Sequence, residues 1–210
     1  MDSLPPPRLD LLVHSPSYHS YIPVLSQLLE PSPPLTSILA PQLHTTITSL
    51  PAADKPKTYH AFLDLAQAVV DKWDIEDQAE FLAAHPRIGE TKNLSKASEG
   101  EQAPQAGAGA TPGVVLKRLQ NLNSLYEQAF PGLRYITFVN GRTRAEIVPE
   151  LEGLLSLSLP APSQSFPEPK LGDLKAKLRV YPTGSGPWRA ELKRGIEDMW
   201  KIAHSRVDKW

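Results

Sequence analysis

The stretch TYHAFLDLAQAVVDKW, residues 58–73, decides the fold class of this chain. Its apolar residues recur three and four positions apart, so they lie on one face of an α-helix. Thr58 precedes the first of them, where a hydroxyl can cap the helix by accepting a hydrogen bond from a first-turn amide. We therefore expect an amphipathic helix whose apolar face, aromatic residues included, packs into a core. That face consists of Tyr59, Phe62, Leu63, Ala66, Val69, Val70 and Trp73.

The helical period continues on both sides of this stretch. Asp74 is expected to cap a helix over residues 75–84, and Ser20 is expected to cap an upstream helix. Thr111 and Pro112 have the residue types that begin a long helix, a cap followed by proline in the first turn. The predicted inward-facing residues of the upstream, long and last helices are Ile22, Leu25, Leu28, Leu29, Val115, Leu119, Leu122, Tyr126, Ala129, Leu192, Ile196, Met199, Ala203 and Val207.

One segment departs from this helical pattern. Residues 135–139 favour an extended conformation, and Asn140-Gly141 after them favours a turn. Because no other segment is a convincing partner, this stretch cannot build a sheet. We therefore predict an all-α fold: a single-domain helical bundle of about eight helices with one short extended connector, over residues 1–210. A Pro-rich N-terminal tail (residues 1–17) and a Pro/Ser-rich internal loop (residues 156–169) are expected to be additions to that domain.

Composition excludes several classes of partner. Hydrophobic residues make up 40% and charged residues 21% of the 210, which fits a globular domain with an ample core. A net charge of -1 provides no basic surface for nucleic acid, and no apolar run approaches the roughly 20 residues that cross a bilayer. The absence of cysteine excludes disulfides and thiolate metal sites, and no signal-peptide pattern is evident. We expect an intracellular, reducing compartment, without nucleic-acid or membrane partners.

The pentapeptide His85-Pro86-Arg87-Ile88-Gly89 is the first stretch that indicates chemistry. Pro86 disfavours the α conformation at the preceding residue, so the helix over residues 75–84 should end at His85. At a helix C-terminus the dipole favours imidazolium, whereas burial opposes it, which leaves the group able to exchange a proton near neutral pH. His85 is therefore a candidate general acid or base. The alternative is that it only caps the helix or packs in a core.

Two further groups of polar residues accompany this histidine. Ser98, Glu101 and Gln102 have the spacing of residues on one helical face, although Ser98 and Glu101 also fit an ordinary capping box. Arg142 precedes a helix that Thr143 should open, where unpaired amides favour an anion and a guanidinium can clamp a carboxylate. A solvated surface arginine is the alternative for Arg142.

Together these stretches resemble the 2-oxo-4-hydroxy-4-carboxy-5-ureidoimidazoline (OHCU) decarboxylase family. The order and spacing of the matching blocks are specific, although each block alone is weak. The blocks are His85-Pro86-Arg87-Ile88-Gly89, Ser98-x-x-Glu101-Gln102, Leu122-Asn123-Ser124-Leu125-Tyr126 and residues 136–147 with Gly141-Arg142. The likeness runs from about Tyr18 to the end of the helix near Arg206.

This resemblance implies an enzyme that converts OHCU into (S)-allantoin and CO2 during urate breakdown. Because the substrate ring itself accepts electrons, neither a metal nor an organic cofactor is expected. His85 is implied as the acid-base residue, and Glu101 as the group that holds or exchanges a second proton. The implied substrate-binding residues are Pro86, Ser98, Gln102, Ile136, Val139 and Arg142.

The resemblance also implies a homodimer, and the family that it points to includes peroxisomal members. The last residues, Asp208-Lys209-Trp210, are not a peroxisomal tripeptide of the Ser-Lys-Leu type, so a cytoplasmic or a peroxisomal location is expected without that signal. Residues 103–113, Pro131 and Pro149 depart from the family pattern, and the Pro-rich additions are of a kind expected in a fungal member.

Two other functional classes remain open from the residues alone. A metal-dependent hydrolase would draw its ligands from His60, His85, Glu90 or Glu101, but the chain has no His-Glu-x-x-His pattern. A non-catalytic helical interaction module would keep the decarboxylase scaffold and use its Pro-rich stretches as partner-binding linkers.

Overall fold

The computed structural model describes residues 6–90, 95, 97–98, 100, 110–163 and 168–210. Within these ranges it contains nine α-helices and no β-strand, so the predicted all-α fold class is confirmed. The helices are α1 Leu9–Leu12, α2 Tyr21–Leu29, α3 Ala40–Ser49, α4 Tyr59–Val70, α5 Ile75–Ala83, α6 Gly113–Ala129, α7 Arg144–Leu154, α8 Leu171–Lys175 and α9 Gly186–Val207. A 3-10 turn at Tyr18–Ser20 and a π-helical turn at Leu35–Leu39 lie between the first three helices, and Ala97, Ser98 and Gly100 are helical as well.

The chain divides into two compact units. The first comprises Met1–Ala84 with Ile196–Trp210, and the second comprises His85–Gly195. The assignment of all 210 residues to one domain stays a prediction. In the described part of the chain, no helix is both long enough and apolar enough to span a membrane.

In the first unit, α4 carries the predicted apolar stripe. Thr58 caps it, since its hydroxyl accepts a hydrogen bond from the amide of Ala61 at 3.1 Å. Asp74 caps α5 in the same way through the amide of Asp77 at 3.2 Å. Both predicted caps are thus confirmed. The buried residues of the stripe are Phe62, Leu63, Ala66, Val69 and Val70.

Two other predicted caps are wrong in detail. Ser20 does occupy the N-cap position of α2, but its hydroxyl donates to the carbonyl of Ser17 at 2.8 Å and forms no cap. Helix α6 begins at Gly113 with Pro112 as its N-cap, so Thr111 lies one residue too early. The reason is the extended ψ of 140° at Pro112, which separates Thr111 from the helix.

The core of the second unit combines apolar residues with buried ion pairs. Leu119, Leu122 and Leu125 of α6 are fully buried. Arg118 of the same helix is 3% exposed and pairs with Glu152 and Glu168. Buried charges of this kind require partners, because an isolated charge in a low-dielectric interior is costly. The long helix α6 therefore supplies both packing and fixed polar groups to this unit.

The segment between α6 and α7 has the predicted extended conformation and turn. Residues 133–139 form no regular element, and Asn140 and Gly141 have positive φ values of 45° and 80°. Thr143 and Glu146 then form a complete capping box at the start of α7, as predicted. Pro149 lies inside α7, and the helix continues past it to Leu154.

Candidate active site

His85 lies directly after the end of α5, where Pro86 was expected to stop the helix. The last helical residue is Ala83, and Ala84 is the C-cap. The side chain of His85 is buried, with the residue 3% exposed, whereas Pro86 is half-buried. His85 therefore combines a buried imidazole with a half-buried following residue, an arrangement that fits an acid-base group as well as a histidine packed in a core.

Two remote side chains hold the peptide groups of this loop. The guanidinium Nη1 of Arg134 donates to the main-chain oxygen of His85 at 2.7 Å. The amide Nδ2 of Asn123, a residue of α6 that is 4% exposed, donates to the main-chain oxygen of Ile88 at 3.0 Å. Since these bonds flank Pro86 and Arg87, the backbone between them has little freedom.

Arg87 adds a third connection between the loop and α6. Its Nη2 donates to Glu127 of α6 at 3.0 Å, and its Nη1 donates to Glu90 at 3.1 Å. Hydrogen bonds from Arg87 to Glu127, together with those to Glu90, raise the pKa of Arg87. Arg87 therefore anchors the loop to α6 through the carboxylate of Glu127, and its charge is also paired with Glu90.

Gly89 ends the loop in a backbone conformation that suits glycine. Its φ is +85°, in the left-handed region that residues with a Cβ rarely adopt. A Cβ at this position would lie 3.1 Å from Cδ1 of the fully buried Leu119. The glycine of the motif is thus required both by its dihedral angle and by the close approach to α6.

Ser98 is one member of the second predicted cluster that the structure describes. Ala97, Ser98 and Gly100 are helical, and Ser98 is 2% exposed. The main-chain amide of Ser98 donates to the hydroxyl of Ser95 at 3.1 Å. Glu101 and Gln102 lie outside the described residues, so their convergence with His85 stays a prediction.

Arg142 folds its guanidinium back on the connector that precedes it. Its Nη2 donates to the main-chain oxygen of Phe138 at 2.7 Å, and its Nε to that of Val139 at 3.0 Å. Its Nη1 also donates to Glu150 of α7. Arg142 is exposed, and these contacts give its side chain a defined direction.

Glu150 is the acceptor on which this end of the connector converges. It accepts from the hydroxyl of Tyr135 at 2.6 Å and from that of Thr137 at 3.2 Å, besides Arg142. Burial raises the pKa of Glu150, but the hydrogen bonds from Tyr135 and Arg142 outweigh it, and the net pKa is lowered. Glu150 therefore stays ionised and fixes residues 135–142 against α7.

The other end of the connector rests on a buried polar network from α9. Arg194 donates to the main-chain oxygen of Ile136 at 2.9 Å, and its guanidinium lies 5.0 Å from the ring centre of Tyr135. Glu191, which is 5% exposed, accepts from Arg194 and from the hydroxyl of Tyr126 at 2.8 Å. Burial opposes the charge on Arg194, but the bonds to Glu191 outweigh it and raise its pKa.

The described contacts therefore link two of the predicted site segments. Arg134 directly precedes Tyr135 and Ile136, so its bond to His85 ties the histidine loop to the connector. Within the connector, Ile136 is 4% exposed and Val139 is half-buried. Arg142 contacts Glu150 at the C-terminal end of the connector.

Sequence reasoning missed several of the side chains that build this arrangement. Only Asn123 carried a signal, as part of a stretch that resembles the family; the others look like ordinary charged residues along the chain. The missed residues are Asn123, Glu127, Arg134, Glu150, Glu191 and Arg194. In the described ranges, no set of three or more histidine, aspartate or glutamate residues could hold a metal ion.

The comparison with protein-family models agrees with the resemblance seen in the sequence. The family model for OHCU decarboxylase matches residues 15–157, more than half of the chain. Among solved structures, a crystal structure of OHCU decarboxylase in the presence of (S)-allantoin is similar over 89% of this chain and 95% of that chain, with a TM-score of 0.49 and 20% sequence identity. A search of curated proteins found no match.

Proposed function

This chain belongs to the OHCU decarboxylase family, and we propose that it forms (S)-allantoin without a cofactor through His85 and Glu101. It is a carboxy-lyase of urate breakdown that removes CO2 from OHCU. The match of the family model over residues 15–157 carries this proposal. The buried position of His85, in a loop that Arg134, Asn123 and Glu127 anchor, supports the role given to that residue.

The substrate's own structure explains why no cofactor is needed. One ring carbon carries both the carboxylate and a hydroxyl, and it lies beside a ring carbon–nitrogen double bond. When the bond to the carboxylate breaks, its electron pair forms a carbon–carbon double bond and the π pair of the imine moves onto nitrogen, which takes up one proton from the solvent. CO2 leaves, the hydroxyl becomes a carbonyl as it loses its proton, and the neighbouring carbon gains a proton on one face. No electrons enter or leave the system, so the ring is the electron sink.

The enzyme's part is to move two protons and to stabilise the developing negative charge. We assign the substrate hydroxyl proton to His85, because a buried imidazole can accept it and then stabilise the enolate as an imidazolium. Glu101 holds or exchanges the second proton. Delivery of that proton to one face of the ring would produce a single enantiomer.

The remaining residues of the site bind and orient the ring. Arg142 would direct a charge-assisted hydrogen bond at an anionic or carbonyl oxygen of the substrate. Ser98 and Gln102 would hydrogen-bond the ring or the ureido group. Pro86 keeps the main chain of His85 out of the helix, and backbone groups of Ile136 and Val139 would bind ring edges. A homodimer and a cytoplasmic or peroxisomal location complete the proposal, and both follow from the family resemblance.

The decisive experiment forms the unstable substrate in place. Urate is converted to OHCU by the two preceding enzymatic steps, and circular dichroism follows the appearance of chiral allantoin. We expect a signal that rises faster than the spontaneous, racemic background and that survives a strong chelator. His85→Gln should reduce turnover by about a thousandfold with little change in thermal stability.

His14→Gln is the matched control, because His14 is an exposed histidine of the first unit. It should keep wild-type turnover. A wild-type protein that forms no chiral allantoin above background would refute the stereospecific decarboxylation. Full turnover in His85→Gln would remove His85 from the mechanism and leave the reaction itself in place.

A further inference from the structure

The main-chain oxygen of His85 lies two residues beyond the last helical residue of α5, outside the hydrogen bonds of that helix. Helix α5 ends at Ala83, and Pro86 has no N–H that could serve the preceding turn. Arg134 donates to this oxygen from Nη1 at 2.7 Å. A bond of this length from a cation to a carbonyl is charge-assisted and stronger than a neutral one.

The guanidinium of Arg134 is itself held in a restricted place. Burial, together with the charge of Arg87, lowers the pKa of Arg134, whereas the charges of Glu127 and Glu90 oppose that shift. These four side chains therefore lie close enough to interact. Because the residue is half-buried, its bond to His85 is screened less than an exposed contact would be.

The backbone that carries Arg134 is also fixed. Leu133 and Tyr135, its two neighbours in sequence, are 2% and 1% exposed, and the hydroxyl of Tyr135 donates to Glu150 at 2.6 Å. The arginine thus extends to the loop that follows α5 from backbone held by two buried neighbours, directly before the connector. A guanidinium anchored in this way can set the position of the group that it contacts.

We propose that Arg134 is a positioning residue for His85, acting through the peptide oxygen of the histidine to set the direction in which the imidazole leaves the chain. The proposal rests on the acid-base role proposed above for His85. Arg134 has no assigned contact with substrate, so its removal should lower the rate of the chemical step and leave substrate binding nearly unchanged. A misplacement of about 1 Å in a catalytic group can cost about a hundredfold in rate.

The test compares Arg134→Ala and Arg134→Lys with Arg189→Ala in the coupled allantoin assay. Arg189 is the matched control, since its guanidinium also donates to a main-chain oxygen, that of Gly184 at 2.8 Å, but on an exposed part of the second unit. We expect Arg134→Ala to lower kcat by ten- to a hundredfold with KM within threefold of wild type. Arg134→Lys should recover part of the loss, because an ammonium can still donate to the oxygen. Arg189→Ala should match wild type.

A second readout does not depend on activity. Histidine side chains labelled with 15N give NMR signals that report the surroundings of each imidazole, and the His85 signal is assigned by its loss in His85→Gln. We expect this signal to shift in Arg134→Ala and to stay in place in Arg189→Ala, while the signals of the other five histidines do not move. Assays are made at a temperature where helical circular dichroism shows each variant to be folded. If Arg134→Ala does not fold, Arg134→Lys carries both readouts.

The outcomes separate this inference from the proposed function. An active wild type, an inactive His85→Gln and an Arg134→Ala variant with kcat within twofold of wild type would overturn the positioning role alone. An unchanged His85 signal in the Arg134 variants would overturn it as well, whether or not the wild type is active. Absence of wild-type turnover would refute the proposed function, and with it the catalytic meaning of the Arg134 contact.

Discussion

The loop of residues 85–90 and the connector of residues 135–142 both carry proposed site residues, but they are held in different ways. The loop is fixed by side chains far along the sequence: Arg134, Glu127 and Asn123. The turn end of the connector is fixed mainly by its own neighbours, because Arg142 folds back on the carbonyls of residues 138 and 139 and on Glu150.

This difference predicts how each segment responds to substitution. Loss of a local contact in the connector leaves its other neighbours in place, since they are close in sequence and restricted by the same turn. Loss of a remote anchor leaves fewer contacts to offset the entropy cost of closing a long chain segment, so the loop gains freedom over several residues. We therefore expect larger effects in the loop than in the connector.

The largest effect is expected for Gly89→Ala, compared with Gly132→Ala. Both glycines have φ near +85°, but only at Gly89 would the new Cβ lie 3.1 Å from Leu119, whereas nothing lies within 4 Å of it at Gly132. We expect a loss of roughly 1 kcal/mol in the free energy of unfolding for Gly132→Ala and roughly 2 to 3 kcal/mol for Gly89→Ala. Urea denaturation measures both. Equal losses would show that the approach to α6 does not restrict the loop.

A smaller effect is expected for Arg142→Ala. If Arg142 orients an oxygen of the substrate, its removal should raise KM by about tenfold, which corresponds to one charge-assisted contact of about 1.4 kcal/mol, and should change kcat little. Initial rates at varied substrate concentration measure this, with Arg189→Ala as the control. An unaltered KM would restrict Arg142 to holding the connector against Glu150.

The smallest effect is a pH dependence of stability at Glu150. Its pKa is lowered in the folded protein from the ordinary value of 4.5, so its contribution to stability is fully present above pH 4.5 and is lost as the pH falls through the folded pKa. We expect Glu150→Gln to be less stable than wild type at neutral pH, by on the order of 0.5 kcal/mol after solvent screening. The two proteins should approach each other in stability as the pH falls from 4.5 through the lowered pKa of Glu150.

Thermal unfolding at pH 3 to 7 measures this difference. Glu80→Gln, a change at an exposed carboxylate in the middle of α5, is the control and should follow wild type throughout. A constant gap between Glu150→Gln and wild type over this range would mean that the charge of Glu150 does not hold the connector.

Local rules predicted much of the backbone. The caps at Thr58 and Asp74, the capping box of Thr143 with Glu146, and the helix end before His85-Pro86 were all confirmed. Each depends on atoms within four residues of one another. The cap predicted at Thr111 was wrong because the conformation of Pro112 makes the helix begin one residue later. The hydroxyl of Thr111 instead accepts a hydrogen bond from Arg144 at 3.2 Å.

The short range of sequence patterns also divides the residues of the candidate site into those that the sequence marked and those that it did not. Residue types and spacing along the chain marked His85 and Arg142, since a histidine before proline and an arginine before a capping box are local patterns. Neither pattern contains Arg134 or Arg194, whose roles arise from contacts across 49 and 58 residues of sequence.

The sequence by itself determined the helical class, the principal helix boundaries and the family of the chain, because hydrophobic period, capping chemistry and motif order are all properties of neighbouring residues. Only the tertiary structure decided which side chains fix the histidine loop. Arg134 and Asn123 contact the peptide oxygens of His85 and Ile88 over separations of 49 and 35 residues. A hydrogen bond at that separation depends on how the intervening helices pack, and no local pattern in the sequence records it.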